Sequence, residues 1–156
     1  MGERFVNVDL REVATTVLSM EAPLAFAKSI DLVLEEGSAA IVPGNPVLLS
    51  VLLRNLIDNA VRYSPVGASV AVSTKLNGGD VILEVVDCGP GIEASERVRV
   101  LERFTRIENN QETGSGLGLS IVARIVELHS AQLELDVGLT GIGLCVRITF
   151  PSALAT

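Results

Sequence analysis

Two runs of alternating apolar residues, Ser69 to Leu76 and Val81 to Val86, are separated only by Asn77-Gly78-Gly79-Asp80. Asn-Gly and Gly-Gly steps supply the positive φ that tight hairpin turns require. The pattern therefore places two antiparallel strands side by side in the middle of the chain. Whatever the fold is, it has to be built around this hairpin.

Helical periodicity flanks it. Val13, Val17, Leu18 and Leu24 recur at helical spacing within residues 8–28. Asp9 is the expected N-cap, with Glu12 as its capping-box partner, and Pro23 is expected to kink the helix. Ile30 to Glu35 and Ala39 to Val42 read as short strands across a Glu36-Gly37-Ser38 turn. After Pro43-Gly44-Asn45-Pro46, the residues Leu49, Leu52, Leu53, Leu56, Ile57 and Ala60 trace a broad apolar face on a helix from Val47 to Tyr63. Ser64-Pro65-Val66-Gly67 ends it. A loop-rich stretch follows from Asp87 to Gly116, with one short helix expected near 95–102. A helix over about Leu117 to Ser130 and strands near Leu133–Val137 and Leu144–Phe150 close the chain. Helices alternating with mostly antiparallel strands predict a two-layer α/β sandwich. Its 156 residues fit one domain, spanning 1–156.

Composition narrows the partners. With 12 basic against 19 acidic residues, the chain lacks the clustered cations of a nucleic-acid-binding face. A single nucleotide remains possible, because a local site can offset the global field. Aromatics are 3%, so Val, Leu, Ile and Ala have to fill the core. Cys88 and Cys145 read as reduced thiols rather than a disulfide framework. No apolar run approaches the length of a membrane span, and Met1-Gly2-Glu3-Arg4 does not open a signal peptide.

Three stretches point to chemistry. Asn55 and Asn59 lie one helical turn apart inside an apolar run, with Arg62 and Tyr63 continuing the stripe. Mid-helix Asn disfavours the helix, so each needs a partner. A carboxamide oxygen suits a hard cation such as Mg²⁺, and Arg suits phosphate; equally, both amides can be satisfied by nearby backbone. Next, Val85-Val86-Asp87-Cys88-Gly89-Pro90-Gly91-Ile92 runs a strand into an Asp and two glycines. Glycine lets a ligand approach the backbone, and the Asp can accept from an exocyclic amine; a plain Pro-Gly turn is the alternative. Third, Thr113-Gly114-Ser115-Gly116-Leu117-Gly118-Leu119-Ser120 leads straight into an amphipathic helix. A glycine-rich helix start favours an anion, and it also serves as a lid hinge. It follows neither the dinucleotide nor the Walker A spacing. Between these lies Leu101-Glu102-Arg103-Phe104-Thr105-Arg106, whose Phe104 either docks a lid or partner or plugs a local gap.

In this order the four stretches resemble the N, G1, F and G2 boxes of the ATP-binding catalytic domain of sensor histidine kinases, in the superfamily with gyrase, Hsp90 and MutL. The boxes are Asn55-Leu56-Ile57-Asp58-Asn59-Ala60-Val61-Arg62-Tyr63-Ser64-Pro65, Asp87-Cys88-Gly89-Pro90-Gly91-Ile92, Glu102-Arg103-Phe104-Thr105-Arg106 and Gly114-Ser115-Gly116-Leu117-Gly118-Leu119. The resemblance covers about residue 8 to Pro151. It implies a mixed, largely antiparallel sheet packed on one side by three helices, with an ATP lid over about 92–116.

The resemblance also implies roles. Asn59 would coordinate Mg²⁺, with Asn55 supporting the metal and phosphate site. Arg62 would contact phosphate, Tyr63 would pack on the nucleotide, and Asp87 would accept from the adenine amino group. Gly89, Gly91 and Ile92 would line the base pocket. Gly114, Ser115, Gly116 and Gly118 would cover the phosphates, while Phe104, Leu117 and Leu119 would close the lid. Arg103 and Arg106 would reach the phosphates or brace the lid, and Thr149 would approach the adenine. The family's phosphoacceptor His box is absent. The single histidine, His129, is not the phosphoacceptor by position; near a helix end, where a cation favours the dipole, it is expected to be structural. Ser130-Ala131 replaces a glycine-containing turn.

By resemblance, then, the chain is a kinase catalytic fragment. It would donate the ATP γ-phosphoryl group to a His on a separate dimerisation domain, for relay to a response regulator. It would be the cytoplasmic part of a parent protein in the bacterial inner membrane, without direct membrane or nucleic-acid contact of its own. Three alternatives stand beside this: a non-catalytic nucleotide-binding regulatory module, a serine kinase of the anti-sigma type, and a gyrase- or MutL-like ATPase. The last is disfavoured by Asn55, where those enzymes resemble a Glu base.

Overall fold

A computed structural model describes residues 5–88, 117–137 and 144–151. Strand β1 (Val6–Asp9) leads into helix α1 (Leu10–Ala27), then strands β2 (Asp31–Leu34) and β3 (Ile41–Gly44). Helix α2 (Pro46–Tyr63) is followed by the hairpin β4 (Ser69–Asn77) and β5 (Asp80–Cys88). Helix α3 (Leu117–Leu128) and strands β6 (Gln132–Val137) and β7 (Leu144–Pro151) complete the described elements.

The main sheet has the order β2-β4-β5-β7-β6. Only β2 and β4 run parallel; the other three pairs are antiparallel. This is the expected mixed, largely antiparallel sheet. The hairpin closes at Asn77 opposite Asp80, with Gly78 at φ 62°, the conformation its sequence predicts.

Alternation along the strands assigns the two faces. Val81, Leu83 and Val85 of β5 and Val146, Ile148 and Phe150 of β7 are buried, and they join one core with Leu49, Leu52, Leu53, Leu56, Ile57 and Val61 of α2. Helix α2 packs against both α1 and α3. The opposite face carries polar cross-strand contacts. There Arg147 Nε donates to Glu84 at 2.8 Å and Arg147 NH1 donates to Glu134 at 3.3 Å.

Several expectations shift. Helix α1 runs through Pro23 without a break. Asp9 is its N-cap, but its carboxylate accepts from Arg11 N and Ala40 N, so it ties the helix start to the segment before β3. The buried positions of α1 are Leu10, Ala14, Val17, Glu21 and Ala25, whereas Leu24 is exposed. Strand β3 does not join the main sheet. It pairs with β1, a strand absent from the sequence reading, in a separate antiparallel ribbon that carries Pro43 opposite Asn7. A two-stranded ribbon tolerates Pro, because it has edges on both sides.

Helices α1 and α3 end alike. Ser29 and Ser130 both adopt φ near +55°, as C′ residues of Schellman turns (φ 57° and 54°). Ile30 N donates to Ala25 O and Ala131 N donates to Val126 O, at 2.9 and 3.0 Å. Serine thus occupies the turn position after each helix where glycine is usual. Cys145 is buried and outside any disulfide among the described residues, with Arg147 NH2 4.0 Å from its sulfur. The proposed lid over 92–116 and the short helix near 95–102 lie outside the described residues.

Candidate functional site

The site is built around the two ends of α2. Asn45 starts the helix: its side-chain oxygen accepts from Val47 N and Leu48 N at 3.0 Å each, and Pro46 takes the first helical position. The chain approaches this cap through Gly44, where an added Cβ would come within 2.6 Å of Leu49 Cδ1 and 3.0 Å of the His129 ring. A side chain at residue 44 would force the two apart.

Along α2, Asn55 and Asn59 are half-buried and project one turn apart. Asn55 Nδ2 donates to Val51 O at 2.8 Å. A carbonyl takes only a donor, so this bond settles which way the amide is turned, and among the described residues Oδ1 has no partner. Among the described residues, the Asn59 carboxamide makes no hydrogen bond. Two amide oxygens are therefore available on one helix face, a donor set that suits a hard cation.

At the other end, Arg62 is exposed and its Nε donates to Asp58 Oδ2 at 3.0 Å. Tyr63 is the last residue of α2. Ser64 follows as the C-cap: its N–H returns to Val61 O and its hydroxyl donates to Ala60 O at 2.6 Å.

Asp87 ends the buried face of β5, opposite Val70 of β4, and is only 8% exposed. Among the described residues, its Oδ1 is buried with no hydrogen-bond partner. Burial pushes the Asp87 carboxyl pKa up, opposed by the Ser64 hydroxyl and then by the Lys28 ammonium. The Ser64 contribution is limited, because its one proton is already directed at Ala60 O. A buried carboxylate oxygen without a donor is rare in folded proteins, and it fits a ligand that brings an N–H of its own. The amino group of adenine is such a donor.

Helix α3 begins at Leu117, with Gly118 and Leu119 in its first turn. The glycine run thus feeds a helix start, where unpaired N–H groups favour an anion. Gly89, Gly91, Ile92, Arg103, Phe104, Arg106, Gly114, Ser115 and Gly116 lie outside the described residues.

Thr149 is not brought to the site. It pairs with Ile82 and Gln132 on the sheet face away from the helices, whereas Asp87 shares the helix-facing parity of Val81, Leu83 and Val85. In a strand, a one-residue change of parity reverses the face.

His129 holds the structural role its place near a helix end implies. It is 3% exposed, with its Nε2 3.1 Å from Asn45 N and its Nδ1 2.9 Å from Ile125 O. The Asn45 amide can only donate, so Nε2 accepts and the ring proton sits on Nδ1. The ring stacks on Phe5 at 4.8 Å and meets Phe150 edge-on at 6.2 Å. His129 therefore joins the end of α3 to the cap of α2.

Comparison with known proteins identifies the fold and the family. The family "Histidine kinase-, DNA gyrase B-, and HSP90-like ATPase" matches residues 44–154. The chain is 38% identical over 150 residues to the Sensor protein kinase PmrB of Pseudomonas aeruginosa, covering 96% of this chain and 31% of that protein. It is 52% identical over 91 residues to the Sensor protein QseC of Escherichia coli K12, covering 58% of this chain and 19% of the relative. Among solved structures, the mycobacterial sensor histidine kinase MprB superimposes with a TM-score of 0.73 at 30% identity, over 95% of this chain and 97% of that one. The chain thus spans less than a third of the length of these two curated relatives. It belongs to the histidine kinase-, DNA gyrase B- and HSP90-like ATPase family, as the ATP-binding catalytic domain of a sensor histidine kinase.

Proposed function

We propose that this domain holds Mg-ATP between the ends of α2, β5 and α3 and donates the γ-phosphoryl group to a histidine on a separate dimerisation domain, for relay to a response regulator. The observation that carries the reading is the buried Asp87 with an unpartnered Oδ1, beside a helix that presents two carboxamides. Asp87 accepts from the adenine amino group, which distinguishes adenine from guanine. Asn59 would hold Mg²⁺ through its amide oxygen, with Asn55 supporting the metal and phosphate site, and the cation would supply charge neutralisation at the phosphates. Arg62 faces phosphate and Tyr63 packs on the nucleotide. Gly89, Gly91 and Ile92 line the base pocket. Phe104, Gly114, Ser115, Gly116, Leu117, Gly118 and Leu119 close over the phosphates, with Arg103 and Arg106 bracing the transferred group.

Phosphoryl transfer is mainly positioning and charge stabilisation. In this reading the γ-phosphoryl oxygen bond to ADP breaks as a bond to the incoming imidazole nitrogen forms, and ADP leaves. The only histidine here, His129, is buried and both its nitrogens are engaged, so the acceptor has to come from another domain. Among the described residues no helix is long and apolar enough to cross a membrane. The parent is proposed as an inner-membrane sensor with this domain on the cytoplasmic side, and this domain contacts neither lipid nor nucleic acid.

The test supplies a histidine-containing dimerisation domain together with γ-labelled ATP. Acid-labile label on the supplied histidine, with little ATP hydrolysis by this chain alone, is the expected result. Rapid hydrolysis by the isolated chain without transfer would overturn the division of labour.

A further inference from the structure

Lys28 follows α1 as its C-cap and reaches across to the far end of α2. Its Nζ donates to Val61 O at 2.9 Å, to Arg62 O at 3.0 Å and to Ser64 O at 2.7 Å. An ammonium has three protons, and three carbonyls take them. The last carbonyls of a helix lack intrahelical partners and carry the negative end of its dipole, so a cation there is doubly favoured. The main chain adds a second tie: Gly67 N donates to Lys28 O at 3.3 Å, and Asp31 N donates to Ala68 O at 3.1 Å. The segment after α2 is thereby stapled to the end of α1.

The position of this staple matters. The carbonyls it holds belong to Val61, Arg62 and Ser64, which bracket Tyr63. Ser64 and Lys28 are also the two groups that pull the Asp87 carboxyl back against its burial. One side chain therefore fixes the turn that ends α2 and adds a positive charge to the field at Asp87.

We infer that Lys28 is a positioning residue for the base pocket: by clamping the Val61, Arg62 and Ser64 carbonyls, it holds the Tyr63-Ser64 turn against Asp87 so that the Asp87 carboxylate meets the nucleotide base. This rests on the proposed binding of ATP at Asp87. The ammonium has no role in the phosphoryl step itself. A carboxylate accepts the base amino group best when ionised, so affinity falls as pH drops through the Asp87 pKa. Without the Lys28 charge that fall occurs at higher pH. Among the described residues, Lys28 is the one charged group acting on Asp87.

The test compares ADP binding by the wild-type chain, Lys28→Met, Asp87→Asn and the double variant across a pH series. Lys28→Met is expected to bind roughly tenfold more weakly at neutral pH, the scale of losing charged hydrogen bonds. The acid limb of its binding curve is expected to move to higher pH, and the double variant is expected to be no weaker than Asp87→Asn alone. Additive losses with an unmoved acid limb would make Lys28 a helix cap only and overturn the inference. Should Lys28→Met fail to fold, the wild-type Lys28 side-chain ¹⁵N resonance answers the question: ADP is expected to shift it, and an unchanged resonance in the ADP-bound chain overturns the inference. No ADP binding by the folded wild type would instead overturn the ATP-site reading, which separates the two failures.

Discussion

His129 accepts a hydrogen bond at Nε2 from the backbone N–H of Asn45, 3.1 Å away and 84 residues earlier in the chain. The same Asn45 caps α2 through its side chain. The end of α3 and the start of the Asn55–Asn59 helix are thus locked to each other by one ring. The tautomer is fixed by this contact, because an amide N–H cannot accept. Nitrogen NMR of labelled histidine should show the proton on Nδ1 and an unprotonated Nε2; an Nε2–H ring would contradict the arrangement. His129→Phe keeps the packing against Phe5 and Phe150 but leaves the Asn45 amide unpaired, and a loss of about 1–3 kcal/mol is expected in denaturant unfolding.

Serine at the left-handed position after α3 is a local compromise. Ser130 sits at φ 54°, where a side chain is disfavoured and glycine is not. Ser130→Gly is expected to stabilise the domain by about 0.5–1 kcal/mol with nucleotide binding unchanged. A loss of stability would mean that the Ser130 side chain makes a contact worth more than the strain.

Glu21 lies in the buried stripe of α1, with Arg54 Nε 3.6 Å from its carboxylate. Burial raises its pKa, the nearby Asp58 carboxylate adds to this, and Arg54 and Arg62 oppose it. A raised folded-state pKa means that folding favours the protonated form. That contribution is complete below the unfolded pKa and disappears as pH rises through the folded one. Glu21→Gln should therefore melt higher than wild type at about pH 7.5, with the difference vanishing near about pH 4. Equal melting temperatures at the higher pH would show that Arg54 fully offsets the burial.

Gly44 tests the approach to the α2 cap. Its missing Cβ leaves the space occupied by Leu49 Cδ1 and the His129 ring. Gly44→Ala is expected to destabilise by about 1–3 kcal/mol, the usual range for overpacking. It should also weaken the His129–Asn45 contact, read as a shift of the Nε2 resonance.

How much of this was legible in the chain depends on the range of the interactions. The hairpin was plain because Asn77-Gly78-Gly79-Asp80 encodes its own turn, and Asp9 and Asn45 were legible as boundary residues for the same local reason. Strand β1 was not. It is four residues long, and its partner β3 comes some 35 residues later in the register of Val6 with Gly44 down to Asp9 with Ile41. Nothing near Val6 in sequence signals the pairing. The Asn55–Asn59 spacing and Asp87 were visible as chemistry, but the missing partner of Asp87 Oδ1 emerges only when β5 is packed under the helices. Lys28 was invisible because its partners are carbonyls 33 to 36 residues away, and carbonyls carry no sequence signature. Thr149 was misassigned to the site because a residue's face depends on register, which the motif order does not encode.

The account turns on Asp87. Its orphaned oxygen is a local cost to the fold, which a ligand N–H would relieve. Stability and function should therefore move in opposite directions on substitution. The most direct measurement is calorimetric titration of the chain with a non-hydrolysable ATP analogue, with and without Mg²⁺, alongside thermal melts, for the wild type, Asp87→Asn and Asn59→Ala. The expected result is that Asp87→Asn binds at least about tenfold more weakly while melting no lower than wild type, and that Asn59→Ala loses the Mg²⁺ dependence. Undiminished binding by a folded Asp87→Asn chain would contradict the placement of the base, and with it the site described here.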